Sequence, residues 1–283
     1  MNDDSFRKLL DMALAEDLGS RGDVTSLAVF SENDSCTAVL VSKDRGVLCG
    51  GEYFRETYLR VDPGVSVDVL LPDGTPLDVG MEVARIVGRT RSVLEAERVS
   101  INFISFLSGI ATATSEYVRA ARETGGAMIL DTRKTLPGYR SLSKYAVRVG
   151  GGVNHRQGLH DMVLIKDNHI DAAGGISAAV DRVRGRWGRD FIVEVECRTI
   201  DEVHQALEAG VDIIMLDNMD VETARRALAL RKPGVAFETS GGIGLETVGI
   251  WSALGVDRIS VGKITHSAQA FDFSLQIRKG GRV

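Results

Sequence analysis

The alternation of hydrophobic and polar residues changes character near residue 100. Before this point, apolar residues recur with helical spacing over residues 6–18 and again over 52–61. Strand-like alternation occupies four short runs, CTAVLVSK, GVLCGG, VSVDVLL and EVARIVG. Turn signals such as Pro72-Asp73-Gly74 separate the runs. This part of the chain therefore predicts a mixed α+β domain.

A long helical pattern over residues 93–124 is followed by a regular succession of strand, loop and helix. The strand candidates are AMILDTR, MVLIKDN, FIVEVEC, VDIIMLDN, VAFETSGG and DRISVGK, and helical patterns occupy 176–187, 199–210, 220–230 and 245–255. Such a succession is typical of parallel strands joined by right-handed crossovers. Because six strands are fewer than the eight of a regular barrel, we expect an open or incomplete α/β barrel, with a doubly wound sheet as the alternative.

These patterns divide the chain into two domains. We expect an N-terminal α/β domain over residues 1–106 and a barrel domain, which carries the catalytic site, over 107–267. The final segment contains AFDFSLQIRK, which alternates again. Residues 268–283 are therefore predicted to return as a strand to the N-terminal sheet.

Charge and composition exclude several classes of protein. The net charge of −5 argues against a general nucleic-acid or membrane surface. No apolar run approaches the roughly 20 residues that span a bilayer, and the polar start MNDDSFRKLL does not resemble a signal peptide. The three cysteines lack CxxC spacing, so neither a zinc site nor a disulfide framework is expected. A cytoplasmic protein is the expectation.

One segment reverses the overall charge. Residues 133–166 contain seven Lys or Arg residues and two histidines but a single acid, Asp161. A basic segment in an acidic protein predicts a pocket for a small polyanion. Arg140, Lys144 and Arg148 are four residues apart, which favours a solvated helix face for those three.

Every predicted barrel strand ends in polar or glycine residues: Asp131-Thr132-Arg133-Lys134, Lys166-Asp167-Asn168-His169, Glu194 and Glu196, Asp217-Asn218, Glu238-Thr239-Ser240-Gly241-Gly242, and Gly262-Lys263. Because the carboxyl ends of parallel strands form one common rim, these residues are predicted to meet at a single site. Arg133 suits a carboxylate ligand through bidentate donation, and His155, Arg156 and Lys166 could converge on the same ligand. His160 and His204 are expected to have no catalytic role.

Two glutamates in the predicted strand FIVEVEC share one face. Glu194 and Glu196 are two residues apart, so both side chains point the same way, and Asp217 adds to this acidic side. Buried carboxylates need a partner. Two partners remain open: the basic segment, or a magnesium ion together with ribose hydroxyls.

Glycines after the last two predicted strands indicate an anion site. Ser240-Gly241-Gly242 stands between a strand and a helix, and Gly262 ends the next strand. Backbone N–H groups at such glycines, with a following helix N-terminus, favour phosphate.

The same stretches resemble the quinolinate phosphoribosyltransferase family, also called carboxylating nicotinate-nucleotide pyrophosphorylase. The motifs that carry the resemblance are LSGIAT, DTRKTLPG, KYAVRVGGGVNHR, MVLIKDNHI, VEVE, IMLDN, SGGI and the VG and THS of VGKITHS. The resemblance implies an N-terminal α/β sandwich, a C-terminal incomplete α/β barrel and a homodimer, or a higher oligomer of dimers, with shared active sites. It implies transfer of phosphoribosyl from phosphoribosyl pyrophosphate to quinolinate with decarboxylation, in NAD biosynthesis.

The resemblance also assigns roles to individual residues. Quinolinate would be bound by Arg133, His155, Arg156 and Lys166, with Arg98 reaching in from the partner subunit. Phosphoribosyl pyrophosphate would be bound by Lys134 at the pyrophosphate, by Glu196 and Asp217 at the ribose and Mg²⁺, and by Ser240, Gly241, Gly242, Gly262 and His266 near the 5′-phosphate. Glu196, Asp217 and Lys134 would be the catalytic residues, and magnesium the cofactor.

Lys263 departs from the family motif, in which a small apolar residue is expected. It could add a cation to the phosphate site or point outward. Two other enzyme classes remain as alternatives: a Schiff-base aldolase that uses Lys166 or Lys263, and the molybdenum-associated paralogues, which share the TRKT motif. A non-catalytic nucleotide or anion sensor is the third alternative.

Overall fold

The computed structural model describes residues 3–278. Its helices are α1 Asp3–Leu18, α2 Val24–Val29, α3 Gly51–Val61, α4 Thr90–Arg122, α5 Arg140–Val149, α6 Asp167–Ala173, α7 Ile176–Trp187, α8 Ile200–Ala209, α9 Val221–Leu228, α10 Leu245–Leu254 and α11 Lys263–His266. Its strands are β1 Ser35–Ser42, β2 Gly46–Val47, β3 Ser66–Val69, β4 Pro76–Leu77, β5 Glu82–Arg89, β6 Met128–Leu130, β7 Val163–Ile165, β8 Val193–Cys197, β9 Ile213–Asp217, β10 Ala236–Ser240, β11 Arg258–Ser260 and β12 Phe273–Ile277.

The chain forms two compact units. As far as they are described, the first comprises Met1–Ala113, Leu136–Gly150 and Ala268–Val283, and the second comprises Thr114–Thr135 and Gly151–Ser267. The division falls within α4 and not at residue 106. The segment 136–150, which the sequence placed in the barrel domain, belongs to the first unit. The end of the expected segment 268–283 lies outside the described residues.

An antiparallel sheet with strand order β12-β1-β5-β3 organises the first unit. β1 lies between β12 and β5, with Leu40 opposite Leu275 on one side and Ala84 on the other. In α3, Phe54 and Tyr58 are one turn apart and fully buried, so they contribute one apolar stripe to the core of this unit.

The helix α5 differs from its expectation. The prediction of a solvated face for Arg140, Lys144 and Arg148 is wrong for Lys144, whose side chain is only 1% exposed. The spacing of charged residues does not reveal that Leu142, Ala146 and Val147 of the same helix are also buried. Next to Lys144, the Tyr145 hydroxyl donates to Asp73 Oδ2 at 2.7 Å.

Six parallel strands form the sheet of the second unit, in the order β6-β11-β10-β9-β8-β7. Strands that follow each other along the chain lie side by side from β7 to β11, and β11 then pairs with β6. The edge strands β6 and β7 are not paired with each other, so the barrel is open between them. This order confirms the expected incomplete α/β barrel, because a doubly wound sheet would instead reverse its order at an inner strand.

The helices α7, α8, α9 and α10 fill the connections that periodicity assigned to them. Their ends are fixed by local chemistry: Thr199 and Asp220 cap α8 and α9 through side-chain oxygens, and Gly210 ends α8 in the left-handed conformation. The short helices α6 and α11 were not predicted, because each lies within a polar strand end. Within residues 3–278 no helix has both the length and the apolar character that crossing a membrane requires.

Candidate active site

A cavity of about 500 Å³ lies at the carboxyl ends of the barrel strands. All six strands, or the loops that follow them, contribute to its lining, which comprises Thr132, Arg133, Lys134, His155, Arg156, Leu164, Lys166, Asp167, Glu196, Met215, Asp217, Ser240 and Ser260. The structure thus brings together the basic residues and the carboxylates that the sequence singled out. The fold places them there because parallel strands share one rim.

Asp131, at the end of β6, holds the loop that carries the basic pair His155 and Arg156. Its carboxylate is completely buried. Oδ1 accepts the backbone N–H of His155 at 2.9 Å, and Oδ2 accepts the side-chain amide of Asn154 at 2.5 Å. These bonds fix where Arg156 enters the cavity.

Behind the cavity, His155 meets two buried glutamates. Its Nε2 lies 3.0 Å from Glu194 Oε2 and 3.6 Å from Glu238 Oε1. Its Nδ1 accepts the backbone N–H of Arg156 at 2.7 Å. Since Nδ1 is an acceptor, the ring proton of the neutral imidazole is on Nε2 and faces the glutamates.

The cluster continues through Glu238 to β11. Arg258 Nε lies 2.9 Å from Glu238 Oε2, and the Ser260 hydroxyl donates to Glu238 Oε1 at 2.5 Å. Burial raises the pKa of Glu194 to about 7, and burial together with the neighbouring Glu194 raises the pKa of Glu238 to about 7. The interior of the barrel is therefore a polar cluster in which burial favours the protonated form of these two carboxyls.

Glu196 has a different environment from Glu194, although both project from the same face of β8. Its side chain is 12% exposed and lies at the cavity, where Oε1 contacts the Lys166 ammonium. Each of the two glutamates therefore has a partner from the basic segment, which was one of the two readings left open by the sequence.

Arg156 and Arg133 place two guanidinium groups on one side of the cavity. Burial is the main cause that lowers the pKa of Arg156, and the nearby Arg133 adds to it. Two cations that disfavour each other in a partly buried site are stabilised by an anionic ligand. The electrostatics of this wall favour a small molecule with more than one carboxylate or phosphate.

Asp217 and Ser240 also line the cavity and lie side by side at the ends of β9 and β10. Gly241 and Gly242 follow Ser240 and both have positive φ, +109° and +61°. The loop thus takes a path that other residues rarely adopt, which is the feature the sequence associated with phosphate.

Gly262, which follows β11, is closely approached by two side chains. A Cβ atom at this position would lie 3.2 Å from His266 Nε2 and 3.3 Å from Lys134 Cδ. The Thr265 hydroxyl also donates to the Lys134 carbonyl oxygen at 2.8 Å. The side chains assigned to the two phosphate-bearing ends of the ligand therefore meet around this glycine.

Not all candidates join the cavity. Arg98 is exposed on α4 in the first unit, whereas the other assigned residues belong to the second. Lys263 is exposed, and neither it nor His160 or His204 is among the lining residues. Of the two readings of Lys263, the structure supports the outward one.

Sequence reasoning placed Glu238 at a polar strand end but assigned it no role, and it missed Arg258 and the role of Asp131. A signal was present, because Glu238 stands two residues before Ser240 and Arg258 two before Ser260. By the alternation rule each shares a face with its polar strand end, as Glu194 does with Glu196. The pairing of Arg258 with Glu238 is a contact between neighbouring strands, which the pattern of one strand does not contain.

Comparison with known proteins agrees with this geometry. The family model of the quinolinate phosphoribosyl transferase N-terminal domain matches residues 23–108, and that of the C-terminal domain matches residues 110–276. A Bacillus subtilis (strain 168) protein named "Probable nicotinate-nucleotide pyrophosphorylase [carboxylating]" is 41% identical over 277 residues, covering 98% of this chain and 95% of that protein. A chloroplastic relative from Oryza sativa subsp. japonica is 40% identical and covers 96% of this chain and 77% of its own length.

Solved structures show the same similarity over the whole chain. NadC from Streptococcus pyogenes superposes with a TM-score of 0.93 at 38% identity, covering 99% of both chains. The nicotinate-nucleotide pyrophosphorylase from Francisella tularensis gives a TM-score of 0.94 at 39% identity over 98% of both chains. With both domain models matched and full-length relatives near 40% identity, the chain belongs to the quinolinate phosphoribosyltransferase family.

Proposed function

We propose that this protein transfers the phosphoribosyl group of phosphoribosyl pyrophosphate to quinolinate and releases pyrophosphate and carbon dioxide to form nicotinate mononucleotide. The observation that carries the proposal is the cavity at the strand ends, with Arg133, Arg156 and Lys166 on its lining together with the carboxylates Glu196 and Asp217. Cations in this number suit a dicarboxylate, and the carboxylates suit a ribose. The reaction is the one after which the related proteins are named.

Quinolinate would occupy the basic side of the cavity. Arg133 and Arg156 offer bidentate donors to its carboxylates, and Lys166 adds a third charge. Both ring nitrogens of His155 face groups of the protein, Nδ1 the Arg156 backbone and Nε2 Glu194. Its contribution to quinolinate binding is therefore to hold Arg156, and through its ring edge to line the cavity.

Phosphoribosyl pyrophosphate would lie across the other side. Glu196 and Asp217 accept hydrogen bonds from the ribose hydroxyls, and the loop of Ser240, Gly241 and Gly242 receives the 5′-phosphate. Lys134, which converges with His266 on Gly262, binds the pyrophosphate. Lys166 contacts Oε1 of Glu196, and the carboxylate has further acceptor sites for a ribose hydroxyl.

The residues at this side also fit magnesium. Glu196 and Asp217 are hard oxygen donors at the edge of a polar cavity, the ligand type that Mg²⁺ prefers. When bound there, directly or through water, magnesium would neutralise charge on the leaving pyrophosphate. This requirement is part of the proposal.

The chemistry needs no covalent nucleophile. The quinolinate nitrogen forms a bond to the anomeric carbon as the bond from that carbon to pyrophosphate breaks, through a transition state with positive charge on the ribose. Glu196 and Asp217 face this charge, and the cations hold the ring in line. The 2-carboxylate then leaves as carbon dioxide, its bonding electrons stay on the ring carbon beside the cationic nitrogen, and a proton replaces it.

The proposal includes a homodimer, or an oligomer of dimers, in which Arg98 acts in the partner's site. Arg98 is exposed on α4, as such a role requires. The expected cytoplasmic location is also part of the proposal, and detection of the protein in cell fractions tests it.

The decisive experiment supplies the purified protein with quinolinate, phosphoribosyl pyrophosphate and magnesium. Equal amounts of nicotinate mononucleotide, pyrophosphate and carbon dioxide are expected. Nicotinic acid is the matched control, because it lacks the second carboxylate and so makes fewer charge-assisted contacts with the cations of the cavity, each worth about 1.5–3 kcal/mol. Comparable use of both acids would contradict the assignment of the basic wall. Covalent trapping of a carbonyl substrate by borohydride would instead support the aldolase alternative.

A further inference from the structure

Asn218 has an unusual backbone conformation for its position beside the candidate active site. Among residues 3–278 it is the only non-glycine residue with positive φ, at 52°. It follows Asp217 directly at the end of β9. Side chains other than those of asparagine and aspartate are disfavoured in this conformation, and such outliers concentrate at functional sites.

The side chain and backbone of Asn218 bond in two directions. The amide Nδ2 donates to Asp217 Oδ2 at 3.0 Å, and the backbone N–H donates to the Ser240 carbonyl oxygen at 3.0 Å. The orientation of the amide follows from chemistry, because an ionised carboxylate only accepts. Asn218 therefore bonds both to the carboxylate assigned to the ribose and to the strand end that opens the phosphate loop.

Gly241 packs directly against this asparagine. A Cβ atom on Gly241 would lie 2.1 Å from Asn218 Oδ1 and 3.1 Å from Asn218 Cα. The glycine is thus required by the position of Asn218 as well as by its own φ of +109°. The loop and the asparagine fit each other without space for a side chain.

We propose that Asn218 is a positioning residue that sets the spacing between Asp217 and the Ser240–Gly242 loop. The inference rests on the proposed function, in which the carboxylate binds the ribose hydroxyls and the loop binds the 5′-phosphate. A phosphoribosyl group held at both ends presents its anomeric carbon at one place only. If the spacing relaxes, the ligand loses one of its two anchors.

Two substitutions separate this role from that of a simple turn residue. Asn218→Gly keeps the positive φ at no steric cost but removes the amide. Asn218→Asp keeps the size and the tolerance of the left-handed region but places a second carboxylate beside Asp217. Because Asn218 is exposed, neither change opens a cavity in the core. The matched control is Asn33→Gly, which removes an exposed asparagine from the turn before β1.

Calorimetry with nicotinate mononucleotide, which carries both the ribose and the phosphate, measures the effect. Quinolinate is the comparison ligand, because it has neither a ribose for Asp217 nor a phosphate for the Ser240–Gly242 loop. Both Asn218 variants should bind the nucleotide roughly tenfold more weakly, because the ligand loses one charge-assisted contact at one of its two anchors. Quinolinate binding and melting temperature should stay close to those of the parent. Asn33→Gly should change nothing.

Parent-like nucleotide binding by Asn218→Gly would overturn the inference and reduce Asn218 to a turn residue. Equal losses for both ligands would also overturn it, because they indicate a general disturbance of the cavity. Absence of nucleotide binding and of turnover in the parent protein itself would overturn the proposed function, and the inference with it.

Discussion

His155 Nε2 lies 3.0 Å from Glu194 Oε2, and both side chains are almost completely buried inside the barrel. The same imidazole accepts the backbone N–H of Arg156 through Nδ1. An interior cluster of acids is thereby connected to the backbone of Arg156, a residue that lines the cavity. This relationship explains why a barrel strand can carry a fully buried glutamate.

The first prediction concerns Glu238, whose pKa is raised to about 7 by burial and by Glu194. A carboxyl with a raised pKa contributes stability that is complete below its unfolded pKa near 4.5 and is lost as pH rises through 7. Around it lie Glu194, His155, Arg258 and Ser260. Relative to the parent, Glu238→Gln should gain about 1–3 kcal/mol in free energy of unfolding between pH 5 and pH 8.

Urea unfolding at both pH values measures this difference. Glu208→Gln, an exposed glutamate on α8, is the control and should show no such gain. A Glu238→Gln variant whose stability relative to the parent is the same at pH 5 and pH 8 would show that this carboxyl is ionised throughout.

The second prediction concerns ligand selectivity. Arg133→Ala should weaken quinolinate binding by about ten- to hundredfold, or about 1.5–3 kcal/mol, and leave phosphoribosyl pyrophosphate binding within a few-fold. Arg148→Ala is the control, because Arg148 comes from the same basic segment but is exposed on α5 in the first unit. Calorimetry with each ligand alone gives both affinities. Similar losses of affinity for the two ligands would contradict the assignment of Arg133 to the quinolinate site.

The third prediction tests the shared site. Arg98→Ala and Glu196→Ala homodimers should each be inactive, and a mixture should regain activity after subunit exchange. In a mixed dimer one site carries both lesions and the other carries neither, so activity approaches one intact site per dimer. Native mass spectrometry confirms the exchange. No recovery in confirmed heterodimers would assign Arg98 to its own chain, and a fully active monomer would end the idea of a shared site.

The fourth prediction separates the two lysines that the sequence offered for Schiff-base chemistry. Lys263 is exposed, whereas Lys166 lines the cavity and contacts Glu196. Lys263→Ala should leave kcat and KM for both substrates near the parent values, and Lys166→Ala should lower kcat/KM by about tenfold or more. A large effect of Lys263→Ala on the KM for phosphoribosyl pyrophosphate would place its cation in the phosphate site after all.

Much of the second unit followed from the sequence by itself. Helix α7 was predicted at the observed residues, and all six strands lie within their predicted runs, because the periods of 3.6 and 2 are local properties of helix and strand. The meeting of Arg133, Glu196 and Asp217 also followed, since parallel strands place their carboxyl ends on one rim. The functional family was recognisable from motifs in these same loops.

Only the tertiary structure decided which unit each basic residue joins and which partner each acid has. The spacing of charged residues predicted a solvated helix face for Lys144, but Lys144 is buried on α5 in one unit, whereas Arg156 lines the cavity of the other. Likewise, Glu194 and Glu196 look alike along β8, yet one lies in the barrel interior against His155 and the other contacts Lys166. Pairings of this kind bring together residues 30 or more positions apart, such as Lys166 and Glu196. They are set by the packing of the whole sheet, which short-range patterns do not contain.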